Sequence, residues 1–145
     1  MKLSSPEFKD REELPEKAGY MEENTNPELR IEEVPDEASS LVLIMDDPDA
    51  LEPAGKIWDH WIMYDIDPTI EEIASGESPG TEGRTDFRET GYNGPNPPDG
   101  EHEYVFKLYA LDIELGLPQG ASKDEVEEAM EDHVIEKAEL RGLYE

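Results

Sequence analysis

An apolar run, Leu41-Val42-Leu43-Ile44-Met45, stops against Asp46-Asp47-Pro48-Asp49-Ala50. A run this short and this continuous reads as a buried strand. Pro48 carries no backbone donor, so the ladder must end there and the chain must turn. Carboxylates just past the end of a buried strand stand on a rigid support yet reach solvent, which is where binding and catalytic groups are commonly mounted. The plain alternative is a solvated acidic turn, and for Asp46 the expected role is to terminate the strand.

Two further stretches alternate with period two. In Trp58-Asp59-His60-Trp61-Ile62-Met63-Tyr64-Asp65-Ile66 the even positions put His60 beside Trp58, Ile62, Tyr64 and Ile66, with Trp61 and Met63 on the other face. In the strand from Tyr104 to Asp112 the even face runs from His102 through Tyr104, Phe106, Leu108 and Ala110. Residues 1–40 are punctuated by Pro6, Pro15, Pro27 and Pro35, so short edge strands such as Leu29–Glu32 fit better than a helix. A polar loop is expected over Leu51–Lys56, a helical turn over Thr69–Ala74, and a long irregular loop from Ser75 to Gly100. Within that loop the prolines of Gly91-Tyr92-Asn93-Gly94-Pro95-Asn96-Pro97-Pro98 stiffen the backbone, which suits the wall of a pocket. Near the C-terminus Ser122-Lys123-Asp124-Glu125 has the form of a capping box. The stripe Val126, Ala129, Met130, His133 and Val134 then predicts a helix terminated near Gly142, with His133 as a core residue.

At 145 residues the chain has room for one domain, read here over residues 1–145. Its 12 basic and 39 acidic residues give a net charge of -27. That skin repels nucleic acid and anionic lipid, whose phosphates demand Lys and Arg. It also repels itself, a penalty that fades where the screening length falls to roughly 3 Å at 1 M salt. A cytosol rich in salt is the working hypothesis. The chain has no cysteine, so disulfides and thiolate-held zinc are excluded. Met1–Pro6 lacks an apolar leader core, and no apolar run is long enough to span a bilayer, so a cytoplasmic protein without integral membrane association is expected.

Asp47, Asp49, His60 and His102 come from separate segments, each at a strand end or on an apolar face. Brought together, two protonatable imidazoles can donate to a phosphate or carboxylate, and an aspartate accepting from a ring N–H favours the charged form. A hydrolase built on the same His and Asp residues is the alternative. Yet no nucleophile is paired with a base and an orienting group, and no tightly spaced histidine pair supports metal hydrolysis.

Four motifs occur in order: Asp47-Pro48-Asp49-Ala50, Trp58-Asp59-His60-Trp61, Gly91 to Pro98, and Gly100-Glu101-His102-Glu103-Tyr104-Val105-Phe106. With Leu108-Tyr109-Ala110-Leu111-Asp112 behind them, the chain resembles the phosphatidylethanolamine-binding protein family over nearly its whole length. The nearest branch is the bacterial and archaeal one, described as similar to Raf kinase inhibitor proteins. The resemblance implies a mainly β, antiparallel fold with a large and a small sheet, short peripheral helices and, with the stripe above, a C-terminal helical segment. It implies a small surface cavity for phosphate-like anions or phospholipid head groups, lined or supported by Asp47, Asp49, Trp58, His60, Pro97, Pro98, His102 and Tyr104. The protein is accordingly read as a non-catalytic binding module that needs no cofactor. An inhibitor of a kinase or protease acting through the pocket rim is a second reading, and some family members form homodimers. Two positions depart from the family pattern: Glu103 stands where Arg usually follows the histidine, and Leu51 where a proline follows Asp-Pro-Asp-Ala. Glu103 falls on the opposite strand face from His102, so an ion pair is lost or reversed while the pocket is spared.

Overall fold

The structure, a computed structural model, describes residues 1–145. In chain order it runs β1 (Lys2–Ser4), β2 (Glu12–Glu13), β3 (Leu29–Glu32), β4 (Ser40–Asp47), α1 (Leu51–Ala54), β5 (Trp58–Ile66), β6 (Glu72–Ile73), β7 (Thr81–Glu82), β8 (His102–Leu111), α2 (Lys123–Met130) and β9 (Val134–Tyr144). A six-stranded sheet has the order β2-β9-β8-β4-β5-β7, and a three-stranded sheet the order β1-β3-β6. Neighbours are antiparallel except β2, which lies parallel to β9. No helix is long and apolar enough to cross a membrane.

The continuous apolar run of β4 follows from its place between β5 and β8. Leu41, Leu43 and Met45 face the smaller sheet, in a core shared with Leu29, Ile31, Ile73, Phe106 and Leu108. Val42 and Ile44 face the other way and pack with Ile62, Tyr64 and, from α2, Val126 and Met130. Each such side chain contributes about 1.5–3 kcal/mol on full burial, so a polar residue on either face would be costly. The ladder stops before Pro48 as expected, but its last residue is Asp47 rather than Asp46, and Pro48 opens a single 3-10 turn through Ala50. That turn leads directly into α1, which replaces the expected polar loop and closes at Gly55.

The alternation of β8 holds throughout: Tyr104, Phe106, Leu108 and Ala110 all enter the main core. That of β5 does not. Opposite β4, Met45 pairs with Trp61 but Asp46 with Asp59, so His60 is an extra residue in a β-bulge. A second irregularity lies between Met63 and Ile66, where Asp65 takes a φ of 54°. The first bulge moves His60 and Trp58 away from Ile62 and Tyr64 to the pocket side. The second turns Ile66 into the main core beside Trp61 and Met63.

The C-terminal helical segment is corrected to a strand. The capping box forms as expected, with Ser122 accepting from Glu125 N and Glu125 reaching back. The helix nevertheless ends at Met130, and Asp132 at φ 67° redirects the chain into β9 along β8. His133 consequently leaves the core and pairs at the surface with Asp112 at 2.9 Å. Gly142 is not a helix terminator but a strand residue at a close approach: a Cβ there would lie 2.5 Å from Leu14 Cδ2. Thr69–Ala74 likewise holds β6 rather than a helical turn, since Arg30 and Leu29 supply an open edge to pair with.

Candidate pocket at the ends of the central strands

The C-terminal end of β4 and the N-terminal ends of β5 and β8 meet at one edge of the large sheet, where a cavity of about 200 Å³ opens. Asp47 closes β4 and Trp58 opens β5 directly opposite it. His60 reaches the cavity through its bulge, and His102 and Tyr104 through the first residues of β8. Ala50, Pro53 and Ala54, from the turn and α1, form one side; Phe87, Asn96 and Pro98, from the long loop, form the other.

The loop wall is tied down by the N-terminal segment. Tyr20 N donates to Pro95 O at 2.8 Å, Tyr92 Oη to Ala18 O at 2.8 Å and Gly94 N to Asn24 Oδ1 at 2.7 Å. Phe87 stacks on Tyr20 with ring centres 4.5 Å apart and lies 5.3 Å from the His60 ring. Asn93 brackets His60: its N–H donates to His60 O at 2.9 Å, and its carbonyl faces His60 Nδ1 at 2.8 Å. The Asn93 side chain is fixed in turn by Thr85 Oγ1 at 2.6 Å and Glu89 Oε2 at 3.0 Å.

The two imidazoles are in different states. A carbonyl only accepts, so His60 carries its proton on Nδ1 and leaves Nε2 as a bare acceptor. Burial pushes its pKa below the ordinary value, against the raising effect of the Asn93 carbonyl, and keeps the ring neutral. His102 faces a carboxylate from each nitrogen, Nδ1 to Asp47 Oδ2 at 2.6 Å and Nε2 to Asp99 Oδ1 at 2.6 Å. Both nitrogens must then donate, and the ring is an imidazolium. Desolvation opposes that charge, but the two carboxylates outweigh it and hold the pKa above the ordinary value. The expected pair of donating imidazoles is thus one cation and one neutral acceptor. Tyr104 lies 5.1 Å from the His60 ring and 6.3 Å from the His102 ring. Burial and the nearby Asp47 raise its pKa, so its hydroxyl stays a donor. That hydroxyl and Asp47 Oδ1 are buried without a well-formed hydrogen bond, the Asp47 carboxylate and the Asn96 backbone being the groups nearest the hydroxyl.

Of the residues singled out in the sequence, Asp47, Trp58, His60, Pro98, His102 and Tyr104 line the cavity. Asp49 and Pro97 do not. Asp49 Oδ2 instead accepts from Glu103 N at 2.8 Å, stapling the turn after β4 to the start of β8. Asp46 points to the opposite sheet face, where Lys107 lies at 3.1 Å and Lys123 at 3.4 Å. Glu103 faces away from the pocket and meets Arg141 at 3.1 Å, an ion pair with the acid on β8 and the base on β9. Sequence reasoning missed Phe87 and Asp99. Phe87 had a usable signal, being with Tyr92 one of two aromatic residues in the long loop; Asp99 had only its place in a Pro-Pro-Asp-Gly turn.

Fold and site together define a class: two-sheet β proteins with a small cavity where the central strands end, under a proline-rich loop. The chain belongs to the phosphatidylethanolamine-binding protein family, whose model matches residues 4–145. It is 45% identical to a UPF0098 protein of Methanothermobacter thermautotrophicus, over 99% of this chain and 98% of the relative. Among solved structures it is similar to the phosphatidylethanolamine-binding protein homologue CT736 from Chlamydia trachomatis, at a TM-score of 0.95 and 38% identity, covering 99% of this chain and 96% of that one. YbcL of Escherichia coli, described as a member of the mammalian PEBP family, gives a TM-score of 0.90 at 28% identity, covering 99% and 97%.

Proposed function

We propose that this protein is a non-catalytic binding module whose pocket takes a phosphate-like anion or the phosphorylated head group of a larger ligand. The observation that carries the reading is His102, an imidazolium fixed by buried Asp47 at the edge of a partly apolar cavity in a strongly acidic protein. At about 200 Å³ the cavity is smaller than the roughly 300–1,000 Å³ of drug-sized sites, so it suits a head group better than a whole lipid. Tyr104 Oη, beside the Asp47 carboxylate and without a well-formed hydrogen bond, supplies a further donor toward the incoming group.

The lining residues include no Ser, Thr, Cys or Lys that could serve as a nucleophile. His60 is in a proton-accepting state, but it has no such partner, which favours binding over hydrolysis. Modulation of a partner protein, a kinase or protease among the candidates, would act through the rim formed by α1 and the 95–101 loop. The test is a titration with inorganic phosphate and with phosphoethanolamine in molar KCl, followed by the ring resonances of His60 and His102 and by calorimetry. Saturable shifts at both rings are expected; unmoved rings and no heat would refute the reading.

A further inference from the structure

Asp99 stands three positions before His102, between Pro98 and Gly100, and its Oδ1 lies 2.6 Å from His102 Nε2. The ring therefore has a carboxylate on each side, but the two are not equivalent. The Asp47 side chain is 4% exposed and closes a central strand; that of Asp99 is 53% exposed on a loop. Its neighbour Gly100 takes a φ of 114°, where glycine moves without a Cβ penalty. The chain is anchored again at His102, where β8 begins opposite Tyr144, and at Glu103, whose N–H is bonded to Asp49. His102 is the one cation among the lining residues, so Asp99 occupies the charged donor that an anionic ligand needs.

We propose that Asp99 is a tethered internal anion that a ligand must displace from His102 Nε2, and that it thereby restricts the pocket to phosphate and phosphomonoesters and excludes simple carboxylates. The inference rests on the anion reading above. A tethered group acts at an effective concentration of roughly millimolar or more. A free monocarboxylate has the same charge and makes the same contact, so below that concentration it does not displace Asp99. A phosphomonoester carries about -1.5 to -2 charges near neutral pH and three acceptor oxygens. It takes the His102 N–H and the Tyr104 hydroxyl together, and in its protonated form its own O–H donates to the bare His60 Nε2. These combined contacts give it the advantage over the tethered carboxylate that acetate lacks.

The test compares wild type with Asp99→Ala and Asp99→Asn at constant KCl, using calorimetry with inorganic phosphate and with acetate. Glu101→Gln serves as a charge control, because it removes a neighbouring exposed acid that makes no bond to His102. In wild type, phosphate is expected to bind and acetate not to bind at submillimolar concentration. Asp99→Ala should bind phosphate about tenfold more tightly and acquire acetate binding. Glu101→Gln should stay within about twofold of wild type. Ring NMR of His102 supplies a check that does not depend on ligand: its pKa should fall in Asp99→Ala and hold in Glu101→Gln. If wild type binds phosphate and Asp99→Ala binds it no better than Glu101→Gln does, the tethered-anion proposal is overturned and the anion pocket stands. If no variant binds phosphate, the anion reading itself fails and takes this proposal with it.

Discussion

Replacing Asp47 by Asn tests the device that keeps His102 charged. The bond from Nδ1 to Oδ2 is 2.6 Å long, between side chains 5% and 4% exposed, so solvent screens it little. A hydrogen bond to a charged group contributes roughly 1.5–3 kcal/mol, and breaking a buried ion pair outright costs about 3–5 kcal/mol. The lower figure applies here, because the imidazolium can shed its proton and Asp99 still holds the other nitrogen. A loss of about 2 kcal/mol at pH 6 is expected. A group whose folded pKa is raised contributes stability that is complete below its unfolded value, about 6.5, and is lost as pH rises through the folded value. The loss caused by Asp47→Asn should therefore shrink to about 1 kcal/mol or less at a pH above the folded His102 pKa, where wild type has given up the same contribution. Urea unfolding in molar KCl at both pH values measures it, with the His102 pKa followed by NMR. A loss equal at the two pH values, or an unchanged His102 pKa, would refute the argument.

Other consequences are open to measurement. His60 and His102 carry opposite shifts, so wild-type stability between pH 5.5 and 8.5 should peak near about pH 6.5, with His60→Gln flattening the acid limb and His102→Gln the alkaline one. Lys123 lies 2.6 Å from Asp59 and 3.4 Å from Asp46; Lys123→Met should cost about 3 kcal/mol in denaturant unfolding by stranding the Asp59 carboxylate, while Asp46 keeps Lys107 at 3.1 Å. Gly142→Ala should cost about 1–3 kcal/mol, because its methyl group overlaps Leu14 and presses on Phe8. The melting temperature should rise steadily between dilute buffer and molar KCl as the -27 charge is screened; a flat profile would contradict the reading of the acidic surface as an adaptation to high salt.

The elements easiest to read from sequence were those whose pattern nothing interrupts. β4 is flanked on both sides and needs apolar residues from Leu41 to Met45, while β8 keeps its alternation, the irregularity beside Leu111 falling on β9, so both were legible. The face of β5 was not, because a bulge depends on the register of the partner strand and leaves no mark in local composition. His60 was therefore placed on the wrong face, and it is the bulge that delivers it to the cavity. β9 was hidden by a real helix start: the capping box at Ser122 is genuine, and Val126 and Met130 do face the core. The turn at Asp132 that ends the pattern owes its stability to pairing with β8, a contact between segments distant in sequence. Asp49 illustrates a different limit. Its motif marked it for the pocket, yet a backbone N–H just past His102 claims its carboxylate. The charge states were the least legible, since two histidines of the same type are separated by what each nitrogen faces.

The most direct measurement is a long-range proton–nitrogen correlation spectrum of the histidine rings at pH 7 in molar KCl. The geometry predicts two protonated nitrogens on His102, and on His60 a protonated Nδ1 beside a bare Nε2. Two neutral rings, or two in ordinary tautomeric exchange, would contradict a pocket organised around one imidazolium and one acceptor.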